Sequence, residues 1–211
     1  MYKYVKRGVD FVMALLGLII LSPVFLILII AIKLDSRGPV LFKQKRVGIH
    51  KSHFQILKFR TMRIDTPKDM PTHLLQNPEQ YITRVGKFLR KTSLDELPQI
   101  INILKGDMSV VGPRPLLVSY LPYYTDEERH RHDVRPGLTG LAQVNGRNSI
   151  TWEDKFSWDL KYIENCSFTY DIIIIAKTFI KTLKREDILV GKQHIVKKLN
   201  EERRNKVPEY D

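Results

Sequence analysis

Residues 11–32, FVMALLGLIILSPVFLILIIAI, decide the fold. They form a run of 22 residues without a single charge. A straight helix of that length rises about 33 Å, enough to cross a bilayer core. The run is too long for the apolar part of a cleavable secretory signal, and no A-x-A-like site follows it. Ser22-Pro23 sits at its middle. Pro23 has no N–H, and its ring clashes with the carbonyl of Ile19, which predicts a bend there. The Ser22 hydroxyl can satisfy a freed carbonyl inside the apolar medium. Both flanks are basic: Lys3, Lys6 and Arg7 precede the run, and Lys33, Arg37, Lys43, Lys45 and Arg46 follow it. Basic flanks favour the cytoplasmic side. The expectation is a re-entrant helix–break–helix, broken at Ser22 and Pro23, that enters one leaflet and returns to the same face. A kinked single span with an exported N-terminus competes, because prolines also occur in ordinary spanning helices.

The rest of the 211 residues suffices for one domain with a core. A net charge of +12, from 35 Lys+Arg against 23 Asp+Glu, points to an anionic partner: nucleic acid, an anionic membrane surface or a phosphorylated substrate. The basic residues crowd beside the apolar run, with nine Lys/Arg and one acid, Asp35, between Lys33 and Arg63. That placement favours anionic membrane lipids and bound phosphates over nucleic acid. The single cysteine, Cys166, cannot form an internal disulfide and reads as a packing residue.

The fold class expected is α+β, mainly helical. Residues 39–63 alternate as a β-hairpin turning at Gly48 to Ser52, and residues 64–80 read as a surface loop. Short helices are expected over Ile82 to Leu89, Leu94 to Leu104 (stopped by Gly106) and Leu121 to His132, with a tight turn at residues 135–140. LAQVNGR follows as a Gly-rich loop whose amides and arginine can meet an anion. Near the C-terminus Ile172, Ile175, Ala176, Phe179, Ile180 and Leu183 share one helical face, with Lys177, Lys181, Lys184 and Arg185 on or near the other. Such a helix packs either on the core or in the membrane interface. Residues 186–211 read as a charged tail. The six histidines read as surface residues, His130 and His132 forming a weak pair, and no Cys/His metal spacing is present.

The chemistry concentrates in KTSLDELPQIINILKGDMSVVGPRP, residues 91–115. Asp95 and Glu96 are adjacent carboxylates at a helix start, and Gly112-Pro113-Arg114-Pro115 is a stiff turn that aims an arginine. Paired carboxylates beside fixed cations suit chemistry on phosphates. Ser93 with Glu96 also fits a capping box, which would make both acids structural. In Lys58-Phe59-Arg60-Thr61-Met62 the cations alternate with apolar residues, so one strand face anchors while the other presents Lys58 and Arg60.

Taken in order, the broken apolar helix, Gly38-Pro39, KFRTM at 58–62, LRKTSLDELPQ at 89–99, GDMSVVGPRP at 106–115, RPGLTGLAQVNGR at 135–147 and Asp159 with Tyr162 strongly resemble the bacterial sugar transferase family, the small monotopic phosphoglycosyl transferases. The resemblance covers roughly residues 3–183. It implies an enzyme at the cytoplasmic face of the bacterial inner membrane that moves a sugar 1-phosphate from a UDP-sugar to polyprenyl (undecaprenyl) phosphate, releases UMP and requires Mg2+. Small members mostly use N-acetylated sugars, a hexose donor being the alternative. Larger members carry further N-terminal spans and another domain, for which this chain is expected to leave no room. The implied division is residues 1–36 as re-entrant anchor, 37–185 as membrane-associated catalytic domain and 186–211 as tail.

On this resemblance Asp95 is the nucleophile. Glu96 is its partner, as a metal ligand or as an acid/base, so Asp95 and Glu96 are also the metal candidates. Lys58, Arg90, Arg114 and Arg147 are candidates for holding phosphates or nucleotide, with Pro113, Pro115 and Gln143 shaping the site. Arg60 is a candidate of the same kind and could equally be structural. A homo-oligomer stays open. A non-catalytic, membrane-bound basic adaptor would explain the charge and the anchor, but leaves Asp95 and Glu96 without work.

Overall fold

The structure, a computed structural model, describes residues 2–66, 78–146, 150–184 and 198–203. Helix α1, Tyr2–Asp35, runs for 34 residues with Pro23 inside it. Where the sequence suggested two helices around a break, one helix passes through Ser22-Pro23. The local reason is visible. Pro23 cannot donate to the carbonyl of Ile19, and the Ser22 hydroxyl donates to that carbonyl instead, at 2.8 Å.

One face of α1 lies on the domain along its whole length. Ala14, Leu18, Leu21 and Phe25 pack with Phe54, Ile100, Ile103 and Met108, and further on Leu28 and Ile32 pack with Phe59 and Leu89. Polar bonds fasten both ends. Near the start Arg7 donates to the carbonyls of Ile103 and Leu104 at 2.6 and 2.9 Å. Asp10 accepts the Ser109 hydroxyl at 2.7 Å and the Val110 N–H at 3.1 Å, and the Tyr2 hydroxyl and Lys6 both donate to Asp171. At the far end Asp35 accepts the Val85 N–H at 2.9 Å, and Arg60 donates to the carbonyls of Ser36 and Arg37. The other face exposes Phe11, Leu16, Ile19, Ile20, Ile27 and Ile30. α1 is long and apolar enough to cross a membrane, and only 11% of its most apolar stretch is buried in the protein. An apolar face of that extent marks a membrane-associated chain.

Strands β1, Leu41–Val47, and β2, His53–Phe59, form the expected hairpin, antiparallel with Phe42 opposite Lys58. Helices α2, Arg84–Thr92, and α3, Gln99–Lys105, follow, and Gly106 in the left-handed region (φ 91°) ends α3. A second sheet was not foreseen. β3, Ser109–Val111, pairs in parallel with β4, Gly137–Thr139, where a tight turn had been expected. Three-residue strands are too short to show alternation. Glycines permit the contact, since a Cβ on Gly137 would stand 2.1 Å from the Gly112 nitrogen.

The helix expected over Leu121 to His132 is instead three short pieces. A 3-10 segment Val118–Tyr123 contains Pro122; α4, Asp126–Arg129, starts at a capping box of Thr125 and Glu128; and a 3-10 turn spans His130–His132. The new N-cap at Thr125 divides the segment. His132 corrects the view of the histidines as surface residues. It is buried beside the Tyr124 ring, 5.5 Å between centroids, and burial, with Arg131 and Lys51 adding to it, pushes its pKa down to about 3. α5, Leu141–Val144, replaces part of the Gly-rich loop.

α6, Trp152–Glu164, and α7, Phe168–Lys184, close the domain. Ile174 of α7 is fully buried, whereas Ile172, Ile173, Phe179 and Ile180 are exposed. α7 therefore packs on the core through one face and turns most of its apolar stripe outward; the side chain of Leu183 and residue Arg185 lie outside those described. Beyond residues 185–197, also outside those described, α8, Leu199–Glu202, seats Leu199 among Tyr120, Tyr124, Trp152 and Phe156. Arg203 forks onto Glu128 at 2.6 and 2.8 Å.

Candidate active site

Three elements bring the charged residues together. α2 is capped by Thr83, whose hydroxyl accepts the Gly86 N–H. It lies so close to the end of β2 that a Cβ on Gly86 would meet the Thr61 carbonyl at 2.1 Å. One turn later Arg90 donates its Nε to the Thr61 hydroxyl at 2.9 Å. α2 stops at Ser93 in the left-handed region (φ 57°), and the chain enters a single 3-10 turn, Leu94–Glu96. The capping box considered for Ser93 and Glu96 is not formed: Ser93 lies in the left-handed region and makes no side-chain cap, and the Glu96 side chain is held elsewhere.

Glu96 Oε1 accepts from Lys58 Nζ at 2.7 Å and from Arg114 Nη2 at 2.8 Å. Lys58 is aligned by Asn102 of α3. That side chain accepts the Leu57 N–H at 2.9 Å and donates to the Gln55 carbonyl at 2.8 Å, locking α3 to β2 beside the lysine. Arg114 is aligned from behind. Arg131, in a buried ion pair with Asp159, donates to the Arg114 carbonyl at 2.9 Å, and the Tyr162 hydroxyl donates to Asp171 at 2.8 Å with the Val111 carbonyl 3.1 Å from its oxygen. The Asp159 and Tyr162 pattern thus works beneath the turn, clamping the segment that carries Arg114. Pro113 and Pro115 serve the same turn, the Pro113 carbonyl accepting the Gly137 N–H at 2.9 Å.

The two carboxylates are driven apart electrostatically. Burial alone would raise Glu96, but Arg114 and Lys58 outweigh it and hold its carboxyl far below the usual range. Asp95 goes the other way: burial, reinforced by Glu96, raises its pKa against the pull of Lys58, Arg90 and Arg114. Among the described residues the Asp95 carboxylate has no hydrogen-bond partner. A carboxylate left unpaired and partly dehydrated beside a firmly anchored one is the arrangement expected of a nucleophile and its electrostatic support. Burial also lowers Lys58 and Arg90.

Arg60 turns to the end of α1. Gln143 donates to the Leu138 carbonyl at 3.0 Å with its Oε1 buried. Arg147 lies outside the described residues. Sequence reasoning missed one cation, Arg46, which it counted only as a membrane flank. Arg46 is tied to Gln44 at 2.6 Å and held beside Pro115, and burial, with Arg114 near it, pushes its pKa down to about 10. The antiparallel bridge from Arg46 to Leu117, a long-range pairing, is what brings it there.

Among the described residues no group of three or more His, Cys, Asp or Glu could hold a metal by itself. Asp95 and the second oxygen of Glu96 nonetheless fit Mg2+, which is commonly bound by one or two carboxylates together with substrate phosphates.

The bacterial sugar transferase family profile matches residues 1–185. The chain belongs to the bacterial sugar transferase family. Over 183 residues it is 46% identical to the uncharacterized sugar transferase EpsL of Bacillus subtilis (strain 168), covering 87% of this chain and 89% of that one. It is 42% identical over 187 residues to the UDP-glucose:undecaprenyl-phosphate glucose-1-phosphate transferase of Escherichia coli (strain K12), covering 85% of this chain and 40% of that one. It is 40% identical over 183 residues to the UDP-N-acetylgalactosamine-undecaprenyl-phosphate N-acetylgalactosaminephosphotransferase of Aeromonas hydrophila, covering 84% of this chain and 43% of that one. The transferase therefore spans most of EpsL and about two-fifths of the other two relatives.

Proposed function

We propose that this transferase moves a sugar 1-phosphate from a UDP-sugar to undecaprenyl phosphate through a covalent intermediate on Asp95. An Asp95 oxygen attacks the β-phosphorus, the bond from that phosphorus to the bridging oxygen breaks, and UMP leaves with the electron pair. The acyl phosphate formed on Asp95 stays reactive. An oxygen of the lipid phosphate then attacks the same phosphorus, Asp95 departs as carboxylate, and a polyprenyl diphospho-sugar results.

The observation that carries this reading is the contrast between Asp95, unpaired among the described residues with its pKa raised, and Glu96, anchored by Lys58 and Arg114. Lys58, Arg90 and Arg114 supply positive charge where two anions must meet, and arginine can hold a phosphate through two N–H bonds. Arg147 is proposed to complete the substrate site, and Gln143 to shape its wall. Mg2+, held by Asp95 and Glu96, would shield the diphosphate charge. The names of the relatives include both glucose and N-acetylgalactosamine donors, and an N-acetylated sugar is proposed here, with UDP-hexoses as the alternative.

The proposed topology is re-entrant, with residues 1–36 as anchor, residues 37–185 on the cytoplasmic face and 186–211 as tail. The support is that both ends of α1 bond to one domain. Tyr2, Lys6 and Asp35, near the two ends of a helix of 34 residues about 50 Å long, all hold partners in that domain, which favours both ends on one side of the bilayer.

The test is intact-protein mass spectrometry with Mg2+ and a panel of UDP-sugars, without lipid, beside Asp95→Asn. A gain of one sugar phosphate, absent from the variant and discharged by undecaprenyl phosphate, supports the mechanism and names the donor. UMP release that needs the lipid, with no mass gain from any donor, rejects the covalent step.

A further inference from the structure

Next to the carboxylate pair the fold leaves a cavity of about 420 Å3, within the ordinary range of ligand sites, about 300–1,000 Å3. It lies between the turn carrying Asp95 and Glu96, the β3–β4 sheet and α7. Its two ends differ in chemistry. Glu96 and Arg114 line one end. The walls leading away from them are apolar, with Leu97, Val110, Leu138, Val144, Ile175 and Phe179 among the lining side chains.

Most of the hydroxyls and the amide in this wall are already engaged, while Ser93 and Lys181 also line it. The Thr178 hydroxyl donates to the Ile174 carbonyl at 2.7 Å, which leaves the Thr139 hydroxyl to donate to Thr178, also at 2.7 Å. Gln143 spends its amide on the Leu138 carbonyl, and its Oε1 is buried out of reach. The wall therefore presents mainly hydrocarbon. Its rim is continuous with the exposed apolar face of α7, because Phe179 lines the cavity while being 66% exposed near the exposed Ile172 and Ile180.

We infer that this cavity takes the first isoprene units of the polyprenyl phosphate acceptor, its phosphate at the Arg114 end and its chain leaving along α7 into the bilayer. An anionic head on a branched hydrocarbon tail matches both ends of the cavity. A nucleoside would set a polar base and ribose against a largely apolar wall, which costs binding energy. The inference rests on the transferase reading and assigns to Ile175, Val144 and Phe179 the selection of the acceptor.

The experiment has two arms. In the first, Ile175→Trp, which fills the cavity, is compared with wild type by measuring KM separately for the UDP-sugar and for undecaprenyl phosphate. The acceptor KM should rise about tenfold or more, the scale at which a filled apolar pocket discriminates, while the donor KM stays put. An unchanged acceptor KM, or a rise in the donor KM alone, overturns the inference and leaves the transferase reading intact. In the second arm, a polyprenyl phosphate with a diazirine on its first isoprene unit is photolysed with the unmutated protein, which removes dependence on how the variant folds. Adducts within residues 138–144 and 175–182 are expected; adducts confined to α1 overturn it. Wild type inactive on every UDP-sugar, yet giving those adducts, would count against the transferase reading and for the lipid site.

Discussion

Arg131 and Asp159 form a buried ion pair of 2.6 Å, and the same guanidinium nitrogen reaches the carbonyl of Arg114 at 2.9 Å. The position of Arg114 therefore depends on an acid that does not touch Glu96. Asp159→Asn removes the charge and leaves Arg131 buried without its partner, which costs about 3–5 kcal/mol when a buried pair is broken from one side. Misplacement of Arg114 should lower kcat by about a hundredfold, the scale associated with a displacement of about 1 Å at a reacting centre. A merely structural loss would lower the melting temperature and leave kcat per folded molecule unchanged, so both are measured on the same preparation.

Asp95 and Glu96 should respond to neutralisation with opposite signs. Asp95 has its pKa raised in the fold. The unfolded chain gives up that proton more readily, so the ionised carboxylate opposes folding above its folded pKa, and the cost disappears as pH falls through it. Glu96 has its pKa lowered, so its contribution is full above the ordinary glutamate value and is lost as pH falls through the folded value. At neutral pH Asp95→Asn should abolish turnover and raise the melting temperature by about 2–4 °C, the shift per kcal/mol for a chain of this size. Glu96→Gln should lower it. Thermal unfolding of both variants in one detergent checks the pair, and a drop for Asp95→Asn would mean that the acid is structural.

Much of this candidate site was legible in the sequence because its residues lie in short, stiff segments. Asp95 and Glu96 are adjacent, and Arg114 sits between two prolines, so chain order alone announces them. What the sequence concealed came from long-range pairing. Arg46 reaches Arg114 only through its bridge to Leu117, and the β3–β4 sheet joins two segments of three residues each. Period-2 alternation cannot appear in so few residues. The apolar stripe of α7 was visible, but which face would meet the core was not, because isoleucine occupies both.

Acid and alkaline limits of activity should both move inward from the values of free side chains. Burial raises Asp95 above the usual aspartate range, so attack should fade at a higher pH than an exposed carboxylate would allow. Burial lowers Lys58, so positive charge beside the diphosphate should fail at a lower pH than that of an exposed lysine. Glu96 stays ionised throughout this interval. The measurement is kcat/KM for the UDP-sugar against pH, with Lys58→Arg as control. That substitution should push the alkaline limb upward and leave the acid limb in place. An acid limb at the position of a free aspartate would contradict the burial of Asp95.

The ends of α1 supply a prediction about sidedness. Tyr4 stands 88% exposed between two residues that bond to the domain, Tyr2 and Lys6, so a label at position 4 reports which side of the membrane the helix begins on. With Cys166 replaced by serine, Tyr4→Cys should react with a membrane-impermeant maleimide only after the cells are opened, as should a cysteine placed at the exposed Ile64. Labelling of position 4 from outside intact cells would establish an ordinary crossing and remove the re-entrant arrangement. The same pair of cysteines then isolates the role of the Ser22 hydroxyl. Ser22→Ala takes the donor from the Ile19 carbonyl that Pro23 already leaves without one, and an unpaired carbonyl in hydrocarbon costs several kcal/mol. The helix should answer by bending further or by drawing water to that point. Sidedness should therefore survive while yield and thermal stability fall, and adding Pro23→Ala to Ser22→Ala should restore both, because the backbone N–H at position 23 then returns to the Ile19 carbonyl.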